Sequence, residues 1–275
     1  MILCAGLGTR LRPLSEWCAK PVVPIGDAPA VEHVRRRLGA FDRVVVNVHH
    51  RPEDLRAWAA SSSVAISDEP ELLGTAGGLA QAGALLGPGD VLVWNGDILC
   101  DLDPARLCLD DGVEATLAIA PRPAGAGNVG IDARGRVVRL RTRERFGEEV
   151  HGGDFLGIHL VGAGLRTRLP ARGCLVGDVY LPALADGVAL GTVLVTTPFR
   201  DIGTVASYVA ANRAWLADRT SWSAEPIEGV AIDGSVVGRG ARVEADALRC
   251  IVWPGAKVTQ PIADAIVTPF GTVSF

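Results

Sequence analysis

Between Met1 and Trp94 short apolar runs alternate with stretches of helical period, and few folds accept that alternation. Residues 1–5 read as a strand, and Val31, Val34 and Leu38 share one face of a helix. Residues 43–48 form an apolar strand, and 52–60 a helix with Pro52 near its first position, where a missing N–H is harmless. A strand over 64–67, a helix over 77–86 and a strand over 91–94 follow. A β-α-β-α series of this kind predicts an α/β protein with a largely parallel sheet covered on both faces.

The middle of the chain changes character. Residues 115–120, 129–131, 137–140 and 155–160 read as strands, with a turn over 132–135, which predicts antiparallel additions to the sheet. Helices resume over 179–185 and 205–216. After Trp222 the pattern changes again: Val237 and Val243, then Val252 and Val258, stand six apart around Gly-Ala. That spacing predicts a short left-handed β-helix, too small to stand alone. The expected division is a main domain over 1–222 and a hexapeptide-type tail over 223–275, with a homo-oligomer built through the tail or a sheet edge left open.

Composition removes several classes of function. Hydrophobic residues at 48% and charged residues at 21% exclude wholesale disorder. A net charge of −4 argues against a general nucleic-acid binder. No apolar run approaches the ~18 residues of a membrane span, and residues 1–6 lack the basic flank and long apolar stretch of a leader. Cys4, Cys18, Cys100, Cys108, Cys174 and Cys250 show neither Cys-x-x-Cys nor zinc-like spacing, so a reducing, cytoplasmic setting is expected.

The loop after the first strand carries the chemistry. It reads Gly6-Leu7-Gly8-Thr9-Arg10-Leu11-Arg12-Pro13-Leu14 and continues to Ala19-Lys20-Pro21. Leu11 stands where the dinucleotide fingerprint needs glycine, and no Gly-Lys-Ser/Thr makes it a Walker A loop. Its place still puts it at the carboxyl edge of a parallel sheet, where ligands bind. Gly6 and Gly8 let the backbone approach a phosphate, and Arg10, Arg12 and Lys20 bring positive charge. Of 27 basic residues only Lys20 and Lys257 are lysines, so Lys20 is a candidate for a role that needs a compact ammonium. These features predict an anion site.

The run from Leu3 to Leu14, with Lys20-Pro21, resembles the signature of sugar-1-phosphate nucleotidyltransferases, which join a nucleoside triphosphate to a sugar 1-phosphate and release pyrophosphate. Further matches follow in order: Glu71-Leu72-Leu73-Gly74-Thr75-Ala76-Gly77-Gly78, Asn95-Gly96-Asp97, Phe155-Leu156-Gly157-Ile158-His159, and Asp201-Ile202-Gly203-Thr204 before a helix with Tyr208. Together they cover 1–216, and β-helix tails, usually longer, occur in this family. The resemblance implies a Rossmann-like mixed, mainly parallel sheet flanked by helices, with a nucleoside triphosphate and a sugar 1-phosphate as partners and neither nucleic acid nor membrane.

It also implies roles. Ala5, Gly6, Gly8, Thr9 and Arg10 with Gly74, Thr75, Ala76 and Gly77 would bind the nucleotide, the last four either as a base pocket or as a helix start capped by Thr75. Asn95, Gly130, Phe155 and Asp178 would bind the sugar. Asp97 and Asp201 would hold magnesium (Mg2+), and Arg10, Lys20 and Asp97 would be catalytic. Arg10 would meet the departing pyrophosphate, and Lys20 the charge at the α-phosphate. In-line displacement of this kind needs cations and positioning, and a sugar phosphate already ionised at neutral pH needs no general base. Many relatives carry a second lysine in a Glu-Lys-Pro segment; here the stretch reads Arg139-Leu140-Arg141-Thr142-Arg143, so either Arg141 or Arg143 takes that role or this subgroup lacks it.

Residues 73–77 most resemble mannose-1-phosphate guanylyltransferases, which would use GTP. The short chain and Asn95-Gly96-Asp97-Ile98 also resemble uridylyltransferases acting on N-acetylmuramate 1-phosphate, and glucose 1-phosphate remains a further option. A non-catalytic, sugar-nucleotide-binding regulatory member is the rival of another class. Asp101-Leu102-Asp103 matches the metal motif of nucleotide-sugar glycosyltransferases, but Asp103-Pro104 is equally a helix start. His49-His50 has no third ligand at zinc-like spacing, so a structural or sugar-edge role is expected, and Arg35-Arg36-Arg37 is a solvated helix face.

Overall fold

The computed structural model describes residues 1–39 and 41–275. They form two compact units, Met1–Gly6 with Val34–Phe199, and Leu7–His33 with Arg200–Phe275. The opening loop is therefore divided after Gly6, and the tail beyond 222 shares its unit with residues 7–33 and 200–222.

The first unit is built on a nine-stranded sheet. Strands Val91–Asn95, Ile2–Leu3, Val45–Val48 and Ala65–Asp68 lie side by side and parallel, with Ile2 opposite both Trp94 and Val46. Val91 to Trp94 and Val45 to Val48 are buried at every position. Successive side chains point to opposite faces, so both faces of the sheet are covered. The antiparallel part is as expected in kind: His151–Val161 runs against Val91–Asn95, Val113–Arg122 and Val129–Ile131. Val129–Ile131 pairs in turn with Val137–Leu140, and Ala189–Leu194 returns parallel to Val113–Arg122.

The helix Pro52–Ala59 buries Leu55, Trp58 and Ala59, the spacing of one helical face, and places Glu53 and Asp54 in its first turn where the dipole favours them. The single helix expected over 77–86 is instead two, Gly74–Gln81 and Gly83–Leu86. Its glycines hide the helical period, yet Ala76, Leu79 and Ala82 reach the same buried cluster as Val93, Leu117 and Val161. Tertiary packing overrides a poor local propensity here. Similarly, a wide π-helical turn, Leu175–Tyr180, precedes the expected helix, which is Leu181–Ala185.

In the second unit Thr204 and Ser207 form a reciprocal cap for the helix Val205–Leu216: Thr204 Oγ1 accepts from the Ser207 N–H at 3.1 Å, and Ser207 Oγ from the Thr204 N–H at 2.9 Å. The tail is a stack of parallel coils. Trp222–Ser223, Val236–Val237, Ile251–Val252 and Ala265–Thr268 form one side, and coil-to-coil partners such as Ala231 and Asp246 are 15 residues apart. The six-residue spacing read from the valines is therefore one side of a coil only, and a coil of three equal hexapeptide sides is not built. At a short corner the buried Ser235 hydroxyl donates to the Ala247 carbonyl at 2.6 Å and accepts from the Cys250 N–H at 2.7 Å. Gly271–Ser274 folds back antiparallel onto Ala265–Thr268. Among the described residues no helix is long and apolar enough to cross a membrane.

Candidate functional site

At the carboxyl ends of the parallel strands in the first unit lies a buried polar chain. The Cys4 N–H donates to Asn47 Oδ1 at 2.7 Å, Asn47 Nδ2 donates to Glu69 Oε1 at 2.6 Å, and the Leu73 N–H donates to Glu69 Oε2 at 3.1 Å. Both side chains are buried, so the residue before Ala5-Gly6 is tied through protein to the residue before Gly74. No motif points to this pair. The signal is a polar residue inside an apolar strand and another just past the next strand, since buried polar groups require partners.

The segment Gly74 to Gly77 packs against the backbone of 171–173. A Cβ on Gly74, whose φ is +76°, would lie 2.4 Å from the Gly173 carbonyl oxygen, and one on Gly77 2.7 Å from that of Ala171. The Ala76 N–H donates to the Gly173 carbonyl at 2.9 Å. Thr75 is not the helix cap: its hydroxyl accepts from the Leu175 N–H at 2.8 Å, and Leu73 stands at the cap without a side-chain bond. At Gly6, by contrast, an added Cβ would meet nothing within 4 Å, so packing does not require glycine there.

Asp97 is half-buried and follows Gly96, whose N–H donates to the Leu3 carbonyl at 2.9 Å. A Cβ on Gly96 would lie 2.7 Å from Cys4 Sγ. Burial first, and then the charge of Asp97, raise the Cys4 thiol above its ordinary range, so it stays protonated. Asn95 lies against Gly157, where the strand His151–Val161 slips register between Phe155 and His159. Phe155 donates its N–H to Asn128 Oδ1 at 2.8 Å, meets His159 edge-on at 5.3 Å, and carries the Arg141 guanidinium 5.8 Å above its ring. His159 is hydrogen-bonded to the Tyr180 hydroxyl, and burial above all lowers its pKa to about 3.

The other sugar-side candidates have different surroundings. Gly130 sits in mid-sheet between Arg139 and Gly152, and its Cα faces Glu149, 2.5 Å from where a Cβ would be. Glu149 takes a bidentate bond from Arg139 (2.9 and 3.0 Å) and the Gly125 N–H at 2.7 Å. Arg139 holds its carboxyl down to about 2. Asp178 is exposed and accepts the Cys174 N–H at 2.6 Å. His49 Nδ1 meets the Glu69 carbonyl at 2.9 Å, a structural bond. The Asp-x-Asp reading is not supported: Asp103 caps its own turn, accepting from the Ala105 N–H at 3.0 Å, and Asp101 pairs with Arg37.

The second unit brings Asp201 to two residues of the opening segment, Arg10 and Lys20. Arg10 Nη2 lies 3.7 Å from Asp201 Oδ2, and Lys20 Nζ lies 3.8 Å from Asp201 Oδ1. Arg10 reaches out with 68% of its side chain exposed, whereas Lys20 exposes 11%. Gly8, at φ +63°, makes a left-handed turn just before Thr9, and a Cβ there would crowd Lys20 Cβ at 3.1 Å. Buried Leu11 and Leu14 anchor the loop on either side of Arg12, which pairs with Glu16 at 3.3 Å. A Cβ on Gly203 would lie 2.9 Å from both Arg10 Nη2 and Asp201 Oδ1. Arg10 and Lys20 thus converge on the one carboxylate of Asp201, and such cations can meet a phosphate. Among the described residues no three His, Cys, Asp or Glu side chains come together as a metal cage. A carboxylate such as Asp97 in the first unit, or Asp201 in the second, is the kind of ligand that suits a hard ion completing its shell with water and phosphate, the habit of magnesium.

The family these features define is the nucleotidyl transferase family, whose model matches residues 1–140, and the chain belongs to it. It is 29% identical over 238 residues to the probable mannose-1-phosphate guanylyltransferase 2 of Arabidopsis thaliana, covering 78% of this chain and 64% of that protein's length. It is 29% identical over 211 residues to the N-acetylmuramate alpha-1-phosphate uridylyltransferase of Neisseria meningitidis serogroup B, covering 72% and 81%. The crystal structure of HddC from Yersinia pseudotuberculosis complexed with GMP-PN superposes with a TM-score of 0.62 at 21% identity, covering 78% of this chain and 97% of that one. That likeness establishes the fold.

Proposed function

We propose that this chain transfers a nucleotidyl group from a nucleoside triphosphate to a sugar 1-phosphate, releasing pyrophosphate, with the guanylyl group and mannose 1-phosphate as its substrates. The observation that carries the reading is the meeting of Arg10 and Lys20 at Asp201. In the reaction a sugar-phosphate oxygen forms a bond to the α-phosphorus as the bond to the β-phosphate oxygen breaks. Lys20, largely buried, supplies a fixed ammonium for the charge that grows at the α-phosphate, and exposed Arg10 reaches the β- and γ-phosphates. Such groups cost no reorganisation as charge develops.

Gly6 supports the nucleotide assignment, because open space rather than protein occupies the place of a Cβ there. Ala5, Gly8 and Thr9 extend that loop, and Gly74 to Gly77 supply a flat wall for the base. Asn95, Gly130, Phe155 and Asp178 serve the sugar, and Arg141, over Phe155, takes the role of the missing lysine rather than Arg143. Asp97 and Asp201 are the carboxylates for Mg2+, which when bound shields the phosphate charge. Residues 1–222 carry the reaction and 223–275 form an accessory tail, in a cytoplasmic protein.

Pyrophosphate release with magnesium, scanned over four nucleoside triphosphates against mannose, glucose and N-acetylmuramate 1-phosphates, tests the reading. Release with GTP and mannose 1-phosphate is expected. Release only with UTP would move the chain to the uridylyl group, and binding of nucleotide sugars without any release would favour a regulatory protein. Lys20→Ala should lose about 10²–10³ in turnover while folding normally, and near-wild-type turnover would remove Lys20 from the mechanism.

A further inference from the structure

The segment that bears Lys20 is held from both sides by the coiled tail and the helix beneath it, all within the second unit. Before Lys20, Trp17 lies 6.4 Å from the Phe270 ring, and a Cβ on Gly271 would come 3.2 Å from its six-membered ring. After Lys20, the Pro24 carbonyl accepts the Tyr208 hydroxyl at 2.8 Å. Tyr208 accepts in turn the indole N–H of Trp253, from the tail, at 2.9 Å. Asn212, one helical turn beyond Tyr208, accepts the Gly26 N–H at 2.9 Å and fixes the hairpin that follows. Tyr208, Asn212 and Trp253 are buried, so each bond stands in place of water.

The arrangement is directional. The tail donates to the helix, the helix donates to the backbone four residues past Lys20, and Val23 and Ile25 are buried on either side of that carbonyl. Lys20 exposes 11% of its side chain, and its backbone lies four residues before the carbonyl that these bonds hold. We infer that the tail is a positioning element for Lys20, with Trp253 acting through Tyr208 and the Pro24 carbonyl as its positioning residue. The inference rests on the reading of Lys20 as the group that meets the α-phosphate. It assigns the short coil stack a task inside its own subunit, distinct from assembly.

The test is Trp253→Phe in the full chain, which keeps an aromatic ring and removes the N–H. One buried hydrogen bond of about 1.4 kcal/mol corresponds to a tenfold change. Turnover is expected to fall about tenfold with KM for the nucleotide within about twofold, because the group displaced acts on the transition state. In a Lys20→Ala background the same substitution should change turnover less than about twofold, since two residues acting as one unit are not additive. Hydrogen exchange of the amides over 19–29 should quicken about tenfold while those of Val91–Asn95 hold. Tyr208→Phe, which breaks both bonds, repeats the test if Trp253→Phe does not fold.

Unchanged exchange over 19–29, or full additivity with Lys20→Ala, overturns the inference. A wild-type chain without transferase activity sinks the functional reading instead, and exchange alone then decides the anchor: faster exchange upholds it, unchanged exchange overturns it.

Discussion

Gly78→Ala should destabilise a helix that alanine ordinarily strengthens. In an open helix interior the change stabilises by about 0.5–1 kcal/mol. At Gly78 the new Cβ would lie 2.4 Å from Glu69 Oε1 and 2.8 Å from Asn47 Nδ2, on top of the 2.6 Å hydrogen bond between them. Glu69 cannot swing away freely, because it is buried and its second oxygen holds the Leu73 N–H. Losing one hydrogen bond to a charged group costs about 1.5–3 kcal/mol, and an unsatisfied buried donor adds about 1–3 kcal/mol. After the gain in helix propensity, a net loss of roughly 2–5 kcal/mol remains. For a chain of this size that is a fall in Tm of about 4–20 °C, read by calorimetry. Gly83→Ala is the control, because nothing lies within 4 Å of its Cβ, and it should leave Tm unchanged or slightly raised. A Gly78→Ala protein that melts at or above wild type would refute the reasoning. If the chain from Cys4 to Leu73 also sets the nucleotide site, KM for the triphosphate rises in the same variant.

Two pH dependences follow from buried groups. His159 has a folded pKa of about 3 against 6.5, so the unfolded chain binds the extra proton between those values and stability falls as pH drops through that window. The loss is on the order of 2 kcal/mol at pH 5, and His159→Gln should flatten the melting temperature between pH 7.5 and 5. Glu149 is the opposite case. Its carboxyl is lowered to about 2 from 4.5, so its stabilisation is present above pH 4.5 and lost as pH falls towards 2. Glu149→Gln should lower Tm at pH 7 and narrow the gap to wild type at pH 3. Equal gaps at both pH values would show that the Arg139 bond is not the source.

What could be read from the sequence is what local pattern and spacing encode. Val91 to Trp94 and Val45 to Val48 announce buried parallel strands because a strand covered on both faces has few polar positions to break the run. The helix Val205–Leu216 has the bounds read from the sequence, and the structure adds its cap, in which Thr204 and Ser207 satisfy backbone groups within one turn. The coil length was not legible. Val237 and Val243 give one side at a six-residue spacing, while the shorter corner depends on the Ser235 hydroxyl reaching Ala247 and Cys250, a contact no periodicity encodes. Nor does local pattern show that the missing Cβ atoms of Gly74 and Gly77 make room for the backbone of 171–173, nearly a hundred positions on.

The same contrast runs through the candidate site. Arg10 and Lys20 could be singled out because charge in a glycine-rich loop after a first strand has few structural uses, and because lysine is so rare in this chain. Their meeting with Asp201 had only a motif to suggest it, and Asn47 with Glu69 had not even that. Both are long-range pairings whose partners carry no local mark. A polar residue between buried valines, as Asn47 is between Val46 and Val48, nevertheless constrains what surrounds it. Its amide must be met by another polar group at the same depth, and a carboxylate just past the end of the following strand can do so. In the structure that partner is Glu69, at 2.6 Å. Glu69 in turn bears on Gly78, since a carboxylate buried beside a helix needs a position on that helix with no side chain.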